Sequence, residues 1–111
     1  MPVGYSPDAF GHPAALPAVL RGFGIRHAIL WRGYGGEREQ DSDLFRWIAP
    51  GGEEVLVHHL PPPGYEVGAA LPAGGPALRR RWRELETMLS PRARSGVLLL
   101  AAGADHHAAD P

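Results

Sequence analysis

Asp8 and Asp105 stand near the two ends of the 111-residue sequence, in the stretches GYSPDAFGHPAALP and ADHHAADP. Two carboxylates brought to one rim of a fold can flank a scissile bond, one attacking as nucleophile and the other serving as general acid and then base. Each also has a plainer reading. Asp8 precedes helix-forming residues, where an acid is an ordinary N-cap, and Asp105 could be a turn residue. Arg32 can clamp an anion or position a carboxylate, or simply make a surface ion pair. Phe10, Trp31 and Tyr65 can wall a pocket or belong to the core. His106 and His107 are adjacent in a loop, but no third metal ligand at a recognised spacing accompanies them. His58 and His59 would point to opposite faces of a strand, so structural or exposed roles are the simpler expectation for both pairs.

These groups need elements to hold them. GYSPDAFGHPAALP reads as a loop, and His12 or Pro13 is expected to open the first helix, since proline is tolerated in a first turn. Leu16, Val19, Leu20 and Phe23 then recur at helical spacing, with Gly22 and Gly24 at the end. HAILWR, from His27 to Arg32, reads as a buried strand, and GYGGEREQDSD after it as a glycine-rich acidic loop without the Lys-Ser/Thr ending of a phosphate-binding loop. LFRWIA and EVLVHH, separated by PGGE, predict a β-hairpin. Prolines 61, 62, 63 and 72 make the next stretch irregular. Pro76 can start a second helix, with Leu78, Trp82, Leu85 and Leu89 as its apolar stripe and Arg79, Arg80, Arg81 and Arg83 largely off it as a solvated face. SGVLLLAAG, Ser95 to Gly103, is apolar without alternation, the pattern of a central parallel strand buried on both faces.

Helices alternating with strands predict an α/β domain: a partial parallel sheet flanked by helices, with a β-hairpin insertion. Chemistry in such sheets sits beyond the carboxyl ends of strands. Arg32 and Asp105 follow strands. A strand placing Asp8 by the same rule would lie largely before Met1, so the chain is expected to be one partial domain, residues 1–111.

Composition narrows the partners. Hydrophobic residues make up 44% of the chain and the formal net charge is −1, so neither disorder nor long-range attraction to nucleic acid or an anionic membrane is expected. Cysteine is absent, which excludes thiolate metal sites and a thiol nucleophile and fits a cytoplasmic location. No signal peptide or membrane span is legible.

The ordered set GYSPDAFGHPAALPAVLRGFGI, LWRG, FRWIAPGGEEVLVHHLPPPGY and LLLAAGADHHAADP resembles bacterial α-mannosidases of glycoside hydrolase family thirty-eight over nearly the whole chain. The resemblance implies a segment of the catalytic domain of a zinc-dependent retaining enzyme that hydrolyses terminal α-mannosides. It implies Asp8 as nucleophile and zinc ligand, Asp105 as general acid/base, and Phe10, Arg32, Tyr65 and His106 as substrate-side residues. Asp8 is the one family zinc ligand present, which is too few to hold the metal tightly. The chain alone is therefore expected to be inactive, its partners being a mannose-containing glycan and the missing parts of the catalytic domain. The alternative is a non-catalytic remnant or binding module. Gly51-Gly52 stands where the family usually has Asp-Gly, and Ala102 where a small polar residue usually precedes the acid motif.

Overall fold

Val55 and Val57, with Leu30 and Ala28, are the most completely enclosed apolar residues of the sheet, and their strands organise the rest. In the computed structural model, which describes residues 1–33 and 42–103, the elements run β1 (Val3–Ser6), α1 (Leu16–Gly22), β2 (His27–Leu30), β3 (Leu44–Ile48), β4 (Glu54–His59), a 3₁₀ turn (Gly64–Glu66) and α2 (Gly75–Leu89). The sheet order is β1-β2-β4-β3. β1, β2 and β4 are parallel, and β3 returns antiparallel on β4 as the hairpin partner. This is the expected α/β architecture, with the hairpin built into the sheet.

The register puts Gly4, Ala28, Val57 and Phe45 in one row across the sheet, with Leu30 and His59 in the next. Directly opposed residues share a face, so this is the covered side. Leu20 of α1 packs on it, and a Cβ at Gly4 would lie 3.3 Å from Leu20 Cδ2. Each fully buried Val or Leu here contributes about 1.5–3 kcal/mol. The opposite face carries Val3, Tyr5, Leu56 and Ile48, all exposed.

A second cluster, Val67, Leu85 and Leu89, is covered by Leu98, Leu100 and Ala101. It joins the sheet through Arg92, whose carbonyl accepts from the Asp43 N–H at 3.0 Å.

Four expectations need correction. A strand does precede Asp8 within the chain: Val3–Ser6 pairs with His27–Leu30. Gly4 and Pro7 disguise it, yet Gly4 is what lets α1 approach. The first helix begins at Leu16, not at His12 or Pro13, with Ala15 as N-cap and Pro17 in the first turn; Asp8 therefore does not cap it. Residues 95–103 form no strand of this sheet. Of these, Leu98, Leu100 and Ala101 cover the second cluster without regular secondary structure, with Val97 exposed and the Gly68 N–H donating to the Ala101 carbonyl at 2.7 Å. Finally, only Leu85 and Leu89 of the α2 stripe are buried. Trp82 is 43% exposed, whereas Arg81, expected in solvent, is partly buried and donates to the Val67 carbonyl at 3.2 Å.

Candidate functional site at the carboxyl rim of β1 and β2

Parallel pairing aligns the ends of β1 and β2, Ser6 opposite Leu30, so the segments leaving them rise side by side. Asp8 and Phe10 come from the first and Trp31 and Arg32 from the second. The Arg32 guanidinium donates to Asp8 Oδ1. Their side chains are 38% and 42% exposed, which leaves the pair open to solvent on one side. The Arg32 Cζ lies 4.3 Å from the ring centroid of Phe10 and 4.3 Å from that of Trp31. A guanidinium between two aromatic faces is held by cation–π attraction from both. This confinement separates the pair from an ordinary surface ion pair, in which two long side chains lose entropy for little gain.

Two glycines set the spacing. Gly33 has φ +85, and a Cβ there would stand 2.3 Å from the Ala9 carbonyl oxygen and 2.7 Å from the Gly11 nitrogen. The two rim segments thus touch backbone to backbone. Gly64 has φ +72 and lies under the Trp31 indole, where a Cβ would be 2.6 Å from Cε2. Its neighbour Tyr65 meets Trp31 edge-on, ring centroids 5.5 Å apart. Trp31 is therefore the link between the Asp8–Arg32 pair and Tyr65.

The rim so gathers Asp8, Phe10, Arg32 and Tyr65 around Trp31. Phe10 is 83% exposed, a free apolar surface beside a carboxylate, suited to the apolar face of a polyol ring. His12, in the same motif, turns from the rim and packs edge-on against Trp47 at 5.9 Å. Asp105 and His106 lie outside the described residues. The glycine clearances at Gly33 and Gly64 escape sequence reading, although a glycine directly after Trp-Arg and another directly before Tyr65 were the available signal.

The resemblance also implies zinc at Asp8. Among the described residues there is no group of three or more His, Cys, Asp or Glu side chains that could hold a metal, and Asp8 Oδ1 already accepts from Arg32. A catalytic zinc site takes three protein ligands, so the described donor set does not fit one.

Comparison with known proteins agrees with the family seen in the motifs. The family model described as the glycosyl hydrolases family 38 N-terminal domain matches residues 1–111. Among solved structures, an α-mannosidase from Enterococcus faecalis superposes with a TM-score of 0.83 at 22% identity, over 94% of this chain and 12% of that one. At that identity the likeness speaks to the fold. No curated protein matches the chain.

Proposed function

The chain belongs to glycosyl hydrolase family 38, and from that premise we infer that it is the nucleophile-bearing part of a retaining α-mannosidase acting on mannose-containing glycans. The observation that carries this reading is the Asp8–Arg32 pair at the rim, with the Arg32 guanidinium over the Phe10 and Trp31 rings. Arg32 complements the charge of the Asp8 carboxylate and fixes one of its oxygens. The other attacks the anomeric carbon as the glycosidic C–O bond breaks, and Asp105 gives its proton to the departing oxygen. Water, deprotonated by Asp105, then releases the sugar from Asp8. Phe10 and Tyr65 flank the ring, and His106 contacts substrate beside the acid.

The described residues hold no group of metal-binding side chains, and we propose that residues 1–111 by themselves turn over little or no substrate. The test exchanges residues 1–111 for the matching segment of a full-length family 38 α-mannosidase and follows hydrolysis of an aryl α-mannoside. Turnover by the chimera, reduced by about 10³-fold or more in Asp8→Asn, is the expected result. A chimera whose turnover is indifferent to Asp8→Asn overturns the assignment. The rival reading, a binding module without hydrolase activity, draws on the exposed Phe10 and the open sheet face. It predicts mannoside binding in a chimera that never turns over.

A further inference from the structure

His59 is 4% exposed at the end of β4, next to the rim but outside the set of groups that could touch substrate. Among the described residues, two hydrogen bonds reach its ring. The Arg92 Nη2 lies 2.5 Å from His59 Nδ1, and His59 Nε2 lies 2.6 Å from the Trp31 carbonyl oxygen. A guanidinium can only donate, and a carbonyl can only accept. Nδ1 must therefore be the bare nitrogen and Nε2 must carry the proton. Arg92 is itself 8% exposed and is fixed at its backbone, its N–H donating to the Leu89 carbonyl at 3.1 Å and its carbonyl accepting from Asp43. The Asp43 backbone carbonyl in turn accepts from the His59 backbone N–H at 2.7 Å. The imidazole is thus locked from β4, from the segment after α2 and from the end of β2.

We propose that His59 is a positioning residue: held by Arg92 as the Nε2–H tautomer, it anchors the Trp31 carbonyl and thereby fixes the Arg32 guanidinium between Phe10 and Trp31 against Asp8. The proposal rests on reading the Asp8–Arg32 pair as the working site. Trp31 and Arg32 leave β2 without a further ladder partner among the described strands, whose pairing stops at Leu30. The bond from His59 continues the tether by one residue, to the carbonyl directly before Arg32. In metal sites a ring nitrogen's outer partner sets the tautomer and aim of a histidine. Here Arg92 sets the tautomer, and the histidine aims a backbone.

The test needs neither substrate nor turnover, so failure of the mannosidase reading would leave its outcome legible. Long-range ¹H–¹⁵N correlation of the chain should show a protonated Nε2 and a bare Nδ1 for His59 at neutral pH; a protonated Nδ1 in the neutral ring overturns the proposal on the wild-type protein alone. The second readout is the order parameter of the Arg32 Nε–H. His59→Gln keeps an amide donor near the position of Nε2 and should hold Arg32 in the rigid range, about 0.85. His59→Asn keeps an acceptor for Arg92 but cannot reach Trp31, and should release Arg32 to below about 0.6. Rigid Arg32 in a folded His59→Asn, or equal loss in both variants, sinks the positioning role.

Discussion

The two apolar clusters are built by different means. Ala28, Leu30, Val55 and Val57 are held by hydrogen-bonded strands whose register dictates which side chains meet. Val67, Leu85 and Leu89 depend on one helical stripe lying against an irregular run, Leu98 to Ala101, that adds no strand to the sheet. The first cluster locates the rim to within a backbone contact. The second leaves Trp82, Met88 and Val97 exposed and reaches the first through Arg92. Burial alone does not confer definition; it does so where a ladder also fixes the backbone.

The largest expected effect separates the clusters directly. Leu85→Ala should cost about 2–5 kcal/mol of the packing around α2, and hydrogen exchange should show α2 amides losing protection while those of β2 and β4 keep theirs. Val57→Ala should instead weaken protection on both sides of β4. Equal loss in sheet and helix after Leu85→Ala would make the clusters one cooperative unit and end the distinction.

Gly33→Ala probes the rim and should cost about 1–3 kcal/mol from its clash and positive φ. Gly52 is the control, with φ +93 and open space where a Cβ would go; Gly52→Ala should cost less, about 1 kcal/mol. Urea midpoints that shift equally would mean that the Ala9 contact yields without resistance.

The smallest effect lies at the seam between the clusters. Burial, opposed by Asp43 and reinforced by Arg92, holds the His58 imidazole below its ordinary pKa. The folded state then binds fewer protons than the unfolded one, so this contribution is fully present above about pH 6.5. It is lost as the pH falls through that value toward the lowered one. His58→Gln should flatten this part of the stability–pH curve in thermal melts. An unchanged slope would remove His58 from the seam.

Much of this fold is legible in residue order. The Leu16, Val19, Leu20 and Phe23 spacing, the Gly51-Gly52 turn and the Leu85–Leu89 step are local signals and each element formed, although Val19 and Phe23 are exposed rather than part of one buried face. Val3–Ser6 was hidden because four residues containing a glycine carry too little pattern against Pro7, and its partner is distant in sequence. The run from Ser95 misleads for the opposite reason, since unbroken apolarity reports burial without saying whether a strand or a cover provides it. At the rim, strand-end reasoning places Arg32, and places Asp8 once β1 is recognised. The cage around Arg32 and the His59 tether arise from through-space approaches, which no period encodes.

The sheet order has a consequence in time. β3 and β4 pair across a short turn, Ile48 opposite Glu54, a closure of about 1–10 μs for a hairpin. The parallel pairings join Val3 to His27 and His27 to Leu56, and long-range closures of this kind are intrinsically slower. The hairpin is then the first pairing to close, and the two parallel pairings, which bring Asp8 to the rim, follow it. Pulse-labelled amide exchange during refolding should protect β3 and β4 before β1. The charge pair at the centre of the rim would be the final product of assembly, formed only on a sheet already correctly aligned.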